Sequence, residues 1–155
     1  MKPDQEQRHY VEEVALHFER AGLSRSAGRI LGWLLICDPP QQTMTDLVDA
    51  LQISKSSVST ATRTLMQIGL IQRISLPGIR QDFYRMTEGV WQNSIREQYS
   101  QVKEIRKLAE RGITLLADQP VEQRERLRGM RDLYAFMEIE IPRLLEHWEA
   151  RQQAA

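Results

Sequence analysis

Residues 54–68 read Ser-Lys-Ser-Ser-Val-Ser-Thr-Ala-Thr-Arg-Thr-Leu-Met-Gln-Ile, a run with two long cations, many short hydroxyls and no carboxylate. At helical spacing it separates into two faces. Val58, Ala61, Leu65 and Ile68 are expected inside, which leaves Lys55, Ser56, Ser59, Thr60 and Arg63 outside. Short side chains on that face let a polyanion approach closely. First-turn amides, with Ser54 as N-cap and Ser57 beside it, can meet a phosphate, and Lys or Arg can reach base edges. The same residue types also make an ordinary solvated face, so this helix alone leaves both readings open. The segment that follows tilts the balance. Residues 70–74 read as a strand, 76–79 as a turn through Pro77-Gly78, and 82–86 as the returning strand. Arg80 and Gln81 at the tip can follow a flanking phosphate backbone or enter a minor groove, and Arg73 and Arg85 flank the same hairpin. Arg85 can equally pair with a carboxylate.

These residues need a scaffold, and the rest of the chain reads as one. Tyr10, Val14, His17 and Phe18 recur at three- and four-residue spacing over 5–20, and Gly22 ends that helix. Ser24 starts a second helix whose Ile30, Leu31, Trp33, Leu34 and Leu35 cover so much of its circumference that it belongs at the centre of the core; Asp38-Pro39-Pro40 stops it. Thr43 starts a short third helix with Leu47, Val48 and Leu51 on its buried side, and Gln52-Ile53 joins it tightly to Ser54, the spacing of a helix-turn-helix. After the hairpin, 90–117 and then 120–152 are expected to be helical. In the last helix Leu127, Met130, Tyr134, Met137, Ile141, Leu144 and Trp148 follow a 3-4 rhythm. That seam fits a subunit interface formed with the amino-terminal helix, or packing within one chain. Pro142 interrupts it and deprives the Glu138 carbonyl of its helical donor, so a kink or restart is expected there. The expected organisation is an amino-terminal helix (1–23), a reading domain (24–88) and a helical region (89–155).

Composition narrows the classes. At 155 residues, 41% hydrophobic and 27% charged, the chain is an ordinary globular one, and 21 basic against 21 acidic residues give no global charge. The distribution is uneven. Residues 21–87 hold seven basic and four acidic groups, a net +3, and the flanks together carry −3. A mildly basic middle fits selective contact with a few phosphates better than a large nonspecific footprint. The longest strongly apolar stretch, 30–37, is far below the ~20 residues a membrane helix needs, so no membrane partner is expected. No apolar run follows the charged amino terminus, so cytoplasmic residence is the default expectation. Cys37 stands alone in apolar surroundings and reads as a buried, inert thiol.

With those strings in view, the chain resembles the MarR-type winged-helix repressors, and more closely their GbsR-like branch. The likeness is carried by Gly28-Arg29-Ile30, by Ile53-Ser54-Lys55-Ser56-Ser57-Val58-Ser59, by Leu65-Met66-Gln67-Ile68-Gly69-Leu70-Ile71 and by Pro77-Gly78-Ile79-Arg80-Gln81-Asp82-Phe83-Tyr84. It implies a mainly α fold: a winged helix-turn-helix with a two-stranded β-hairpin wing and long terminal dimerisation helices. It also implies a homodimeric repressor of double-stranded DNA with an inverted-repeat operator. Lys55, Ser56, Ser57, Ser59, Thr60 and Arg63 would be helix contacts and Arg80 a wing contact. The branch often has Gly-Asn where Ser56-Ser57 stand and Lys where Gln81 stands, so target sequence and wing affinity do not carry over.

Regulators of this build often sense a small molecule, and Trp33, Trp91, Tyr99 and Trp148 are candidate aromatic lining for one, although each is equally an ordinary core residue. His9, Glu13 and His17 lie four apart, but the outer pair spans about 12 Å along a helix, so local ion pairing is expected rather than a metal site. No phosphate loop, dinucleotide fingerprint, zinc-protease helix or nucleophile elbow occurs, so neither cofactor nor enzymatic activity is expected. The alternative to a DNA reader is a dimeric winged-helix module that docks another protein.

Overall fold

The computed structural model describes residues 3–153 and, at 97 and 98, the backbone alone. The chain forms two units that meet in sequence at Val90 and Trp91. The first contains α1 (Gln5–Arg20), α2 (Arg25–Ile36), β1 (Gln42–Thr43), α3 (Met44–Leu51), α4 (Lys55–Gln67), β2 (Ile71–Ser75) and β3 (Asp82–Met86). The second is a helical hairpin of α5 (Val90–Leu115) and α6 (Val121–Gln153).

In the first unit α2 is the hub, packed against α1, α3, α4 and β3. Ser24 starts it by accepting the Ala27 amide, and Ala27, Gly28, Ile30, Leu31, Gly32, Trp33 and Leu34 are all buried. Two glycines let α1 approach closely: a Cβ at Gly28 would stand 2.6 Å from the Ala15 Cα, and one at Gly32 3.2 Å from the Val11 Cα. Backbone cannot give way as a side-chain tip can, so Gly28 admits only hydrogen, while a Cβ at Gly32 would need α1 to yield by a few tenths of an ångström. Glu12 of α1 clasps the other side, 2.6 Å from Arg25 and 2.5 Å from Arg29. Partial burial pushes the Glu12 carboxyl up, but the two guanidiniums outweigh it and hold it below the ordinary carboxylate range. Cys37 lies in the same core, where burial pushes its thiol up to about 11, the condition of an unreactive thiol.

The sheet departs from the expected two strands. Gln42 and Thr43 add a short third strand beside β3, giving the antiparallel order β1-β3-β2 with Gln42 opposite Tyr84 and Ile71 opposite Met86. Two residues are too few to show an alternating pattern. Tertiary hydrogen bonding places them: buried Gln42 accepts from the Trp33 indole at 3.3 Å and donates to the Pro39 carbonyl at 2.9 Å. The wing turn follows from local chemistry. Pro77 and Gly78 occupy the two central positions of a type II turn, Gly78 has φ +80°, and the Ile79 amide closes the turn on the Leu76 carbonyl at 3.1 Å.

In the second unit Gly112 of α5 faces Leu127 of α6, Arg106 pairs with Glu138, and Arg96 with Glu149, an antiparallel arrangement. Of the kink or restart expected at Pro142, the restart does not occur: α6 is one helix from Val121 to Gln153 with Pro142 inside it. The Glu138 carbonyl that Pro142 leaves without a helical donor accepts instead from the Tyr99 hydroxyl at 3.2 Å. Tyr99→Phe should therefore cost about 1 kcal/mol of stability in urea unfolding. In a Pro142→Ala background, where the helix supplies its own donor, the same change should cost clearly less. Equal costs in both backgrounds would show that Tyr99 does not serve this carbonyl.

Candidate nucleic-acid interface

Hydrogen bonds at the helix ends fix the entry to α4. Thr43 caps α3 by accepting the Asp46 amide at 3.1 Å, while Asp46 accepts the Thr43 amide at 2.9 Å and its hydroxyl at 2.6 Å. The Thr43 hydroxyl bond is the main reason the Asp46 carboxyl sits below its ordinary range. The helix α3 ends at Gln52 in the left-handed region (φ 53°, ψ 42°), and its amide bonds the Val48 carbonyl at 2.9 Å. Two residues later Ser54 caps α4: its Oγ accepts the Ser57 amide at 3.1 Å and lies 2.9 Å and 2.8 Å from the Ser56 and Ser57 hydroxyls. The first turn of α4 is therefore a cluster of hydroxyls.

Val58, Ala61, Thr62 and Leu65 are the buried side of α4, and Lys55, Ser56, Thr60 and Arg63 are exposed, with Ser57 and Ser59 half-buried between them. Two residues depart from the sequence reading. Ile68 was expected inside, but it is 48% exposed: its backbone (φ −90°, ψ 7°) has already left the helix, and Leu70 takes the inward place. Thr62 is buried because its hydroxyl donates to the Val58 carbonyl at 2.8 Å, so the polar group is satisfied inside the helix. A polar residue type hid that position from periodicity.

Charge pairing separates the cations of this unit. Arg25, Arg29, Arg73 and Arg85 each have a carboxylate partner: Glu12 and Glu19, Glu12, Asp82 at 3.3 Å, and Glu88 at 3.2 Å. Among the described residues Lys55, Arg63 and Arg80 form no such ion pair and are exposed, as are Arg8 and Arg20 of α1. Gln81 is exposed next to Arg80 on the wing. Of the remaining candidates, His9 pairs with Glu13 at 3.2 Å and the His17 ring meets Phe18 edge-on at 5.3 Å. Trp33 is wholly buried in the first unit; Trp91 and Trp148 in the second are about half exposed (47% and 48%), and Tyr99 is bound to Glu138. Leu127, Met130, Tyr134, Met137 and Ile141 are half-buried, and Leu144 is exposed. A second stripe on α6, Leu133 and Phe136 with Leu144, is exposed; sequence reading passed over Leu133 and Phe136 because the heptad seam beside them is more regular.

The fold and this surface can be set beside known proteins. Residues 89–151 match the MmpR5-like MarR family transcriptional regulators, and residues 21–80 match the MarR family. The HTH-type transcriptional regulator MmpR5 of Mycobacterium tuberculosis (strain ATCC 25618 / H37Rv) is 38% identical over 142 residues, covering 92% of this chain and 86% of that protein. The chain belongs to the MarR family. It is accordingly a DNA-binding transcriptional regulator of the winged helix-turn-helix type, not an enzyme. A crystal structure of a transcriptional regulator is similar at TM-score 0.75 and 36% identity, over 94% of this chain and 99% of that one. The putative HTH-type transcriptional regulator YvaV of Bacillus subtilis (strain 168) is 26% identical over 92 residues, 59% of this chain and 51% of that protein. Among the described residues, no helix of this MarR member is long and apolar enough to cross a membrane.

The cap makes a stability prediction separate from any DNA contact. Ser54→Ala should lower unfolding stability by about 1 kcal/mol, and Ser54→Asp, which can still accept the Ser57 amide, should recover most of it. Equal losses in both, read from urea titrations, would remove the cap from the account.

Proposed function

We propose that the outer face of α4 enters a major groove and that the wing lies on its flank, with the chain acting as a homodimeric repressor on an inverted repeat. The observation that carries the reading is the set of free cations. Lys55, Arg63 and Arg80 stand on the helix and the wing tip without carboxylate partners, among hydroxyls small enough for close approach. Ser54, Ser56, Ser57, Ser59 and Thr60 supply phosphate contacts, and Gln81 extends the wing contact. Arg73 contributes less, because Asp82 already shares its charge. In the reading segment the motifs support a GbsR-like character, while the carboxy-terminal match is MmpR5-like. The natural setting is the cytoplasm, where the DNA is.

The pairing arm is supported by what α6 leaves uncovered. None of its residues is buried, and Leu133, Phe136, Leu144 and Trp148 are between 48% and 65% exposed. A second copy packed on that stripe and on the outer part of the heptad seam covers apolar surface that would otherwise face water, at about 25 cal/mol per Å². Two-fold pairing then sets the recognition helices about 34–36 Å apart, one turn of duplex. A small-molecule effector that relieves repression belongs to the same reading, with Trp91, Tyr99 and Trp148 as its aromatic candidates; Trp33 is closed inside the core of the first unit.

On a duplex that the wild type selects, Arg63→Ala should weaken binding by about 1–3 kcal/mol while leaving the unfolding midpoint in place. Arg73→Ala should cost less. An unchanged affinity for Arg63→Ala would take this face out of the reading surface. In sedimentation equilibrium at micromolar concentration the chain should run at twice its 18.1 kDa, and Phe136→Asp should shift it toward monomer. A monomeric wild type would overturn the pairing.

A further inference from the structure

Between Asp49 and Glu88 the sequence holds one carboxylate, Asp82, and it stands on the wing. The same stretch contains α4 and the wing cations, where a negative charge works against any contact with phosphate. Asp82 is therefore a cost to DNA affinity that the rest of the stretch avoids. Its surroundings show how that charge is used. Asp82 and Ser75 face each other in the last pair of the β2–β3 ladder before the turn, and Arg73 lies two residues back on the same face of β2. The Ser75 hydroxyl donates to Asp82 Oδ1 at 3.1 Å and Arg73 Nη1 donates to Oδ2 at 3.3 Å, so both carboxylate oxygens are engaged across the strands. The Arg73 and Asp82 side chains are 58% and 45% exposed. An ion pair so open to water adds little to stability. Its consequence lies in what it withholds: one wing cation is held to its own strand, by a carboxylate two positions from Arg80.

We propose that Asp82 is a specificity-determining residue: by holding Arg73 off the phosphates and closing the base of the wing, it lowers affinity for duplex of any sequence more than affinity for the operator. Binding to unrelated duplex comes almost entirely from phosphate neutralisation and does not depend on the pose of the wing, so there a withheld cation is simply lost. Binding to the operator depends also on Arg63 and Arg80 arriving in register, which a wing closed at its base preserves. The ratio of the two affinities decides occupancy of one site among a great excess of other sequence. This role for Asp82 rests on the DNA contact proposed for α4 and the wing.

Asp82→Asn keeps an acceptor for Ser75 and removes the charge that holds Arg73. Its unfolding midpoint in urea should stay at the wild-type value. Two duplexes serve as probes, one selected by the wild type from a random pool and a shuffled version of it, titrated between about 50 and 200 mM salt. On the shuffled duplex Asp82→Asn should bind about fivefold tighter than wild type at ~0.1 M salt, and log K should fall more steeply against log salt by about 0.9, the mark of one added phosphate contact. On the selected duplex the gain should be clearly smaller, so that the ratio of the two affinities falls. The double variant Arg73→Gln, Asp82→Asn should return to the slope of Arg73→Gln alone, because Arg73 supplies the added contact. An Asp82→Asn protein that titrates like wild type, an equal gain on both duplexes, or a steeper slope that persists without Arg73 would each overturn the role. So would a loss on both duplexes at unchanged slope, which is what a clamp without an electrostatic part gives. A wild type that binds no duplex would overturn the DNA reading and this role with it; the other outcomes occur in a wild type that binds, and overturn this role alone.

Discussion

The burial of α2 on nearly every side is the constraint from which the reading surface follows. The helix α1 meets it across Gly28, where nothing larger than hydrogen fits, and closely at Gly32, and α4 packs on it with Val58, Ala61 and Leu65 buried. Trp33 on the same helix reaches Gln42 and thereby ties down the short strand that begins the sheet. Each fully buried large side chain on α2, such as Ile30, Leu31 or Trp33, contributes about 1.5–3 kcal/mol or more. Once α4 is seated by its apolar side, its other side has no choice but to face out. The face proposed to meet DNA is thus a consequence of core packing rather than a separate construction.

Electrostatics then sort the exposed groups. Several scaffold cations are matched to carboxylates, Arg25 and Arg29 to Glu12, Arg85 to Glu88, and on the hairpin arm Arg106 to Glu138. The recognition helix and wing tip hold back theirs. Exposed pairs of the first kind contribute little to stability, so the sorting matters less for folding than for what the surface can attract. A chain of zero net charge can still present a local positive face, because the compensating carboxylates are spent elsewhere.

Much of this was legible in the residues. Capping serines and threonines at 24, 43 and 54, the Pro77-Gly78 turn and the apolar period of α4 are local signals, and local hydrogen bonding honours them. What escaped was set by distant partners. A two-residue strand exists only because β3 and Trp33 are there to hold it; Thr62 is inside because its hydroxyl can fold back on Val58; Ile68 is outside because the helix ends one residue early. Pro142 was visible as a missing hydrogen bond, but its remedy, a tyrosine hydroxyl 43 positions earlier in the chain, depends on the hairpin's register. The heptad seam of α6 predicted that the helix has partners without dividing them between α5 and the outside. Neighbouring Leu133 and Phe136 show that division only in three dimensions.

Selection of bound duplexes from a random pool by the intact protein tests the central claim most directly. Two recognition helices held by a two-fold axis should enrich an inverted repeat whose half-site centres lie about 10–11 base pairs apart. Recovery of no preferred sequence, or of a single unrepeated site, would contradict it.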